Sequence, residues 1–194
     1  MDSATDAEVI ARSLEEPEAF SVIFQRHHDR IFRYIARRVG ADRAADLTSE
    51  VFLRAFKLRR RYDTSRGSCQ PWLYGIATNV VGDDLRRSRR QQRIYLVAGR
   101  LEPQPDDPYQ KADDQLTAAA VSGELNRALG SLRTGDRNVF LLYGVESLTY
   151  QETADALGIP IGTVRSRMAR ARRIIRELIP DLEQRTSRDS GTQL

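Results

Sequence analysis

The stretch TYQETADALGIPIGTVRSRMARARRII, from Thr149 to Ile175, decides the fold of the C-terminal half of the chain. Thr149 and Glu152 are spaced as a capping box, in which the threonine oxygen accepts a hydrogen bond from the third helical amide and the glutamate bonds back. Gly158 can take the positive φ that ends a helix, and Pro160 prevents the helix from continuing. The stretch therefore predicts two helices joined by a tight turn, which is typical of a helix-turn-helix.

The second of these helices is predicted to begin near Thr163 and to have two distinct faces. Projection at about 100° per residue gives an apolar inner face of Val164, Met168, Ala171, Ile175 and Leu178. The outer face carries arginines and small residues, as a recognition helix in a major groove requires. A merely solvated face would be mixed in sign, whereas Glu177 is the only acid between Thr163 and Ile179. The outer face comprises Arg165, Ser166, Ala169, Arg170, Arg173 and Arg176.

Composition limits the class of protein more than it identifies a partner. The 194 residues include 31 basic and 27 acidic ones, so the net charge of +4 says little about what the chain binds. The single cysteine, Cys69, excludes an internal disulfide, and with only His27 and His28 it leaves no ligand set with zinc spacing. No segment resembles a signal peptide or approaches the roughly 18 apolar residues of a membrane span. We therefore expect a cytoplasmic protein without membrane insertion, metal or cofactor.

One interruption divides the chain into two parts. The stretch from Gly99 to Asp114 holds three prolines and five acids, which disfavour both a helix and a core. On each side, apolar residues recur at spacings of three and four, which predicts helices throughout. The predicted fold is all-α, with two small helical domains joined by a flexible linker. The expected boundaries are 1–97 for the first domain, 98–117 for the linker, 118–180 for the helix-turn-helix domain and 181–194 for a polar tail.

Three helices are predicted in the first domain, each marked by its apolar stripe. The third, which begins after Pro71, carries a second stripe of different chemistry within about 40° of one line. An aromatic ring can stack on an unpaired base, an amide can bond a base edge, and arginines can hold a backbone. For the tryptophan alone, a place in the core is the more ordinary explanation. The apolar stripe of the first helix is Phe20, Ile23, Phe24, Ile31, Tyr34 and Ile35, that of the second is Ala44, Leu47, Val51, Ala55 and Leu58, and that of the third is Leu73, Ile76, Ala77 and Val80. The additional, polar stripe of the third helix is Trp72, Asn79, Asp83, Arg86 and Arg90.

Three segments together resemble the extracytoplasmic-function (ECF) sigma factors of bacterial RNA polymerase. WLYGIATNVVGDDLRR, from Trp72 to Arg87, resembles the promoter-melting region of that family. DLTSEVFLRAF, from Asp46 to Phe56, resembles the polymerase-binding helix that precedes it. LGIPIGTVRSRMARAR, from Leu157 to Arg172, resembles the reader of the minus-thirty-five promoter element. The three occur in the family's order, which makes the resemblance more specific than any one motif.

The resemblance implies roles for individual residues. Asn79 matches the position that binds a base flipped out of the minus-ten element, and Trp72 matches a supporting aromatic. Arg165, Ser166, Arg167 and Arg170 match positions that contact the minus-thirty-five duplex, and Arg167 lies at the edge of the outer face, which favours a phosphate contact. Asp46, Glu50, Leu53 and Arg54 match a face that docks on core polymerase. A helix-stabilising Glu50 to Arg54 pair, worth a few tenths of a kcal/mol, can coexist with docking.

The implied function is that of a dissociable initiation subunit whose partners are core RNA polymerase, double- and single-stranded promoter DNA and an anti-sigma factor. One alternative is a DNA-binding regulator whose first half is a sensor domain. A nuclease is another, but Asp83 and Asp84 are neighbours that point to different helix faces, and the sequence holds no obvious nucleophile or phosphate-binding loop. Gly82 costs its helix about 1 kcal/mol relative to alanine, which either permits a close approach or is simply tolerated.

Overall fold

The computed structural model describes residues 4–97 and 127–179 as a set of helices, and these residues contain no strand. This confirms the all-α fold class. The predicted linker at 98–117 and the predicted tail at 181–194 lie outside the described residues. None of the described helices combines the length and the apolarity needed to cross a bilayer.

The first half consists of four α-helices with short connections. Thr5 and Glu8 form a capping box at the first helix, and Gly40, with a φ of 82°, separates the second from the third. A tryptophan ring, a cysteine and a proline lie close to the start of the fourth and longest helix. The helices are α1 (Asp6–Arg12), α2 (Ser21–Val39), α3 (Ala41–Leu58) and α4 (Gln70–Val97), with 3₁₀ turns at Pro17–Phe20 and Arg59–Arg61.

The predicted apolar stripes of α2, α3 and α4 form the core of the first half, with one exception. Ile23, Ile35, Val51 and Leu73 are fully buried. Phe24, which the periodicity placed on the inner face, is 41% exposed. Neighbouring positions on a helix differ by about 100°, so Phe24 and Ile23 cannot both face the core directly. Ile23 occupies the inner position. The Phe24 ring instead lies at the edge, 4.9 Å from that of Phe52.

The second half contains the predicted helix-turn-helix. The Thr149 hydroxyl accepts from the Glu152 amide at 3.1 Å, the Thr149 amide donates to the Glu152 carboxylate at 2.8 Å, and Gly158 has a φ of 61°. The recognition helix begins two residues earlier than predicted, because the Pro160 carbonyl already accepts from the amides of residues 163 and 164. The elements are α5 (127–131), α6 (Thr134–Val139), a π-helical segment (Phe140–Val145), α7 (Tyr150–Leu157) and α8 (Ile161–Leu178).

The two halves pack against each other through α4 and α7, and one cluster of buried apolar side chains extends through both. The carboxylate of Glu146, directly after the π-helical segment, accepts from Arg37 at 2.6 Å and from the Tyr74 hydroxyl at 2.5 Å. Burial, and then the bond to Glu146, raise the pKa of Tyr74. Arg66 donates to Asp155 of α7 at 2.8 Å. Polar contacts therefore accompany the apolar packing.

Gly75 is the position in α4 at which the other half comes closest. A Cβ atom there would lie 2.6 Å from the carbonyl oxygen of Ala156, a distance that real side chains do not tolerate. At Gly82 a Cβ atom would meet only the flexible end of Arg86, at 3.4 Å. The close backbone approach considered for Gly82 therefore occurs at Gly75, and Gly82 is a tolerated helix glycine.

These two glycines form a matched pair for testing the contact between the halves. Gly82→Ala should raise the Tm by about 2–4 °C, because it gains about 1 kcal/mol of helix propensity. Gly75→Ala gains the same propensity but must displace α7, at a cost of about 1–3 kcal/mol, so its Tm should not rise and its radius of gyration should increase. Thermal unfolding and small-angle scattering measure both. Equal Tm gains with an unchanged radius would contradict the close contact.

Candidate nucleic-acid interface

The outer face of α8 is exposed as the periodicity predicted. Arg165, Ser166, Arg173 and Arg176 are exposed, whereas the inner positions Val164, Met168, Ala171 and Ile175 are buried. Leu178, which was predicted on the inner face, is 54% exposed, because it is the last residue of the helix and Ile179 fills the core beyond it. The helix therefore has a basic outer face and a buried apolar inner face. The outer face, with Arg165, Ser166, Arg170, Arg173 and Arg176, is called the α8 ridge below.

Arg170 has a structural partner that the sequence did not reveal. Its guanidinium lies 3.3 Å from the carboxylate of Asp136, whose side chain is only 2% exposed, while the Arg170 side chain is 41% exposed. A buried carboxylate is costly without a cation, so Arg170 is needed to hold α6 against α8. Its predicted contact with DNA must come from the exposed part of the same guanidinium.

Two tyrosines support the start of the α8 ridge. The rings of Tyr143 and Tyr150 stack at 4.2 Å, with Arg165 5.9 Å from the centre of the Tyr150 ring and Arg172 5.7 Å from that of Tyr143. The bond with Tyr143 raises the pKa of Tyr150. These cation–π contacts restrain the long side chains and thus favour one orientation of the ridge.

Helix α4 carries the second predicted surface. Trp72 is half-buried, with its ring 5.1 Å from that of Tyr62, so it is both part of the core and partly accessible. Asn79, seven residues on, is exposed. Two helical turns separate them, or about 10 Å along the axis. Arg86 and Arg90, further along the helix, are also exposed. Trp72, Asn79, Asp83, Arg86 and Arg90 together are called the α4 stripe below.

Asp83 links this stripe to α3. Its carboxylate accepts from Arg54 of α3 at 3.1 Å and from Arg86 at 2.5 Å, and these bonds lower the pKa of Asp83. The neighbouring Asp84 pairs instead with Arg43, also of α3. The two carboxylates therefore do not converge, in agreement with the argument against a nuclease.

The predicted polymerase-binding face of α3 adjoins the α4 stripe. Asp46 and Leu53 are exposed, the latter by 47%. Glu50 accepts from Arg54 at 2.6 Å, which confirms the helix-stabilising pair, and the bonds to Glu50 and then to Asp83 raise the pKa of Arg54. Arg54 thus contacts both surfaces at once.

The contact between the halves falls on the α4 stripe itself. Trp72, Gly75, Asn79 and Asp83 follow one another at spacings of three, four and four, so they share a helix face. Gly75 lies against Ala156, so α7 contacts this face at Gly75, whereas Asn79, one turn further on, remains exposed beside the contact. The gap between the halves is a cavity of about 340 Å³, lined by Thr78, Asn79, Asn138, Asp155, Ala156, Leu157, Gly158 and Arg167.

Arg167 lies at the edge of the outer face of α8, as predicted. Its guanidinium packs on Gly135, where an added Cβ atom would be 2.8 Å away. It also lines the cavity that Asn79 lines. A residue predicted to contact the minus-thirty-five element and one predicted to bind an unpaired base therefore face the same small space. This arrangement could not be predicted from the sequence, because it depends on how the two halves dock.

Comparison with known proteins agrees with the three motifs. A family model described as sigma-70 region 2 matches residues 23–91, and one described as sigma-70 region 4 matches residues 122–175. The ECF RNA polymerase sigma factor SigC of Mycobacterium tuberculosis is 30% identical over 171 residues, or 88% of this chain and 89% of that protein. SigE of Mycolicibacterium smegmatis is 33% identical over 160 residues, which cover 81% of this chain and 60% of that protein.

A solved structure extends the likeness to the fold. CnrH, determined in complex with the cytosolic domain of CnrY, superposes with a TM-score of 0.67 at 20% identity, covering 92% of this chain and 99% of CnrH. If the chain were a DNA-binding regulator, its first half would be a sensor domain. That half matches sigma-70 region 2 instead. The chain belongs to the extracytoplasmic-function family of RNA polymerase sigma factors.

Proposed function

We propose that the chain is a sigma factor that docks on core RNA polymerase through α3, captures unpaired minus-ten bases on the α4 stripe and reads the minus-thirty-five duplex with α8. The observation that carries the proposal is the pairing of two exposed surfaces of different chemistry in one chain. The α8 ridge is rich in arginine, which suits a duplex groove. The α4 stripe combines an aromatic ring with an exposed amide, which suits single strands.

On α4, the arrangement of Trp72 and Asn79 favours capture of a single base. A half-buried ring held by Tyr62 is a rigid platform, so little conformational entropy is lost when a base stacks on its accessible edge. The Asn79 amide can then donate to and accept from a base edge. Arg86 and Arg90 supply positive charge along the path of the backbone.

On α3, the proposed docking face combines the exposed Leu53 with the acids Asp46 and Glu50. An apolar side chain surrounded by charge is typical of a specific protein interface. Arg54 is bonded to Asp83 of the α4 stripe. Polymerase docking would therefore act on the single-strand surface directly through this ion pair.

Because α7 contacts the α4 stripe at Gly75, we infer that full access of DNA to both proposed surfaces requires the two halves to separate. Asn79 and Arg167 line one cavity, so promoter DNA cannot reach both while the halves are docked. The apparent affinity is then reduced by the fraction of molecules in the separated state. An anti-sigma factor that favours the docked arrangement would inhibit by keeping Asn79 and Arg167 together in this cavity.

The decisive experiment mixes the purified chain with core polymerase and a library of supercoiled promoters. Specific transcripts that depend on the added chain are the expected result. Asn79→Ala should abolish transcripts while leaving binding to core intact, because it removes a base contact and not the docking face. Leu53→Asp, placed in the centre of the docking face, should prevent binding to core. Failure to bind core where another sigma factor binds would contradict the proposal.

The α8 ridge allows base contacts to be separated from phosphate contacts. Arg165→Ala should relax discrimination at one base pair of the minus-thirty-five element by about 1–3 kcal/mol. Arg176→Ala should weaken binding to all DNA sequences by the same factor and reduce the slope of log K against log salt by about 1. Binding titrations on matched and mismatched duplexes measure both, and Arg61→Ala is the control for loss of charge elsewhere. Identical effects of the two α8 variants on every sequence would be incompatible with this division.

Docking of the halves can be tested at Glu146, which lies on neither DNA surface. Glu146→Ala removes the acceptor of both Arg37 and Tyr74, so it should raise the separated fraction. For a contact worth about 1 kcal/mol, the apparent affinity for promoter DNA in the presence of core should rise about fivefold. Asp29→Ala, which removes an exposed carboxylate from α2, is the charge-matched control. An equal rise in both variants would indicate a charge effect and exclude the contact as its cause.

A further inference from the structure

Three metal-ligating side chains converge at a place that lies outside the three surfaces described above. Asp6 of α1 contacts His27 of α2 and Cys69, the residue before α4. The Asp6 Oδ2 atom is 2.8 Å from His27 Nε2 and 3.3 Å from Cys69 Sγ, and the three ligand atoms all lie within 4.8 Å of one another. Within residues 4–97 and 127–179, this is the one such group of three.

The donor set and its dimensions suit a borderline transition-metal ion. Thiolate, imidazole and carboxylate are the ligands of Zn²⁺, at about 2.0–2.3 Å. Ligand atoms around a tetrahedral ion at those distances are separated by roughly 3.3–3.8 Å. The Oδ2 to Sγ separation of 3.3 Å lies at the lower end of this range, the Oδ2 to Nε2 separation of 2.8 Å is shorter, and the third is at most 4.8 Å. An ion among the three would therefore require the side chains of Asp6 and His27 to move slightly apart. A fourth position would remain for water.

The surroundings are those of a formed site and not of a solvated cluster. Cys69 is fully buried, and the side chains of Asp6 and His27 are each 12% exposed. Arg26 bonds the other carboxylate oxygen, Oδ1, at 3.1 Å, which orients Asp6 and leaves Oδ2 toward the imidazole and thiol. A single oxygen, Oδ2, is the partner of His27 Nε2, the Cys69 thiol and the Cys69 amide. A cation would replace two of these hydrogen bonds by metal bonds.

We propose that Asp6, His27 and Cys69 bind Zn²⁺ or a chemically similar divalent ion, which fastens α1 to α2 and to the start of α4. Both the Cys69 thiol and His27 Nε2 donate a proton to Asp6 Oδ2, so both protons must leave before the ion binds. The thiol proton goes to solvent, and the Nε2 proton goes to solvent or is replaced by one on Nδ1, after which the sulfur and Nε2 coordinate the ion. The sequence suggested no zinc set because the three residues are separated by 21 and 42 positions. Only the fold brings them together.

The site would act on the start of the α4 stripe. The Cys69 carbonyl accepts from the Leu73 amide at 2.9 Å, so Cys69 is bonded to the first turn of α4 as the residue that precedes it. Trp72 follows three residues later. An ion at Cys69 would therefore stiffen the end of α4 from which the tryptophan projects.

Cobalt titration of the full chain, freed of metal with a chelator, tests the proposal with a signal specific to the site. Because Cys69 is the only cysteine, a thiolate-to-cobalt charge-transfer band can arise only there. We expect one Co²⁺ per chain with tetrahedral visible bands, displaced by one equivalent of Zn²⁺. Zn²⁺ at about one hundred times its Kd should raise the Tm by roughly 5–10 °C.

Variants separate the site from ordinary surface binding. Cys69→Ser should lose the charge-transfer band, and Asp6→Asn and His27→Gln should weaken binding by at least about tenfold. His28→Gln is the matched control, because this neighbouring histidine bonds the exposed Asp29 and should leave the titration unchanged. Circular dichroism shows whether each variant folds. If a variant does not fold, the Zn²⁺ stoichiometry and the Tm shift of the wild-type chain test the site instead.

Several results would overturn the site. These are the absence of a charge-transfer band in the folded wild-type chain, binding only at millimolar metal, or equal losses in the His27 and His28 variants. None of these measurements uses polymerase or DNA. The proposed sigma function and the metal site can therefore fail independently.

Discussion

The structure depends on the packing of α4, which contacts α2, α3 and α7 with different faces of one helix. Leu73 and Ala77 fill the core of the first half, while Gly75 admits the backbone of α7 at a distance that no side chain allows. The helix direction is therefore fixed on two sides before any partner binds. Trp72 and Asn79 project from this restrained helix, so the surface proposed to bind unpaired bases has a rigid backbone although its side chains are polar.

The same packing creates a competition between internal contacts and DNA. The docked halves are held by apolar burial and by the carboxylate of Glu146, and they share a cavity with Asn79 and Arg167. A partner shifts such an equilibrium only by its difference in affinity for the two arrangements. If DNA binding requires separation, the docking of the halves lowers the apparent affinity of the free chain for promoter DNA.

Local patterns predicted the helices well, because capping, periodicity and turn residues act within a few positions. Thr149, Glu152 and Gly158 adopt the expected geometry, and the inner face of α8 is buried up to Ile175. Errors occurred where the outcome depends on distant residues. Phe24 and Leu178 are apolar and in register, but the adjacent residues Ile23 and Ile179 are the ones that are buried in the core. Gly75 and Gly82 are both glycines within a helix, and only the docking of α7 makes Gly75 the one at the close approach. The roles of Arg170 and Glu146 within the fold likewise depend on partners more than 30 residues away.

Charges that the sequence presents as separate sites are coupled through short contacts along α4. Arg54 joins the proposed docking face to Asp83 on the stripe, and Cys69 joins the first turn of the helix to Asp6 and His27. Each contact restrains a different point of the helix, whose rigidity transmits a displacement along its length. Polymerase docking at α3 and ion binding at α1 would therefore act on Trp72 and Asn79 from opposite sides, without either touching the bases. Because both act through the orientation of one rigid helix, their effects on promoter melting should be coupled, and a double variant should depart from the sum of the two single variants.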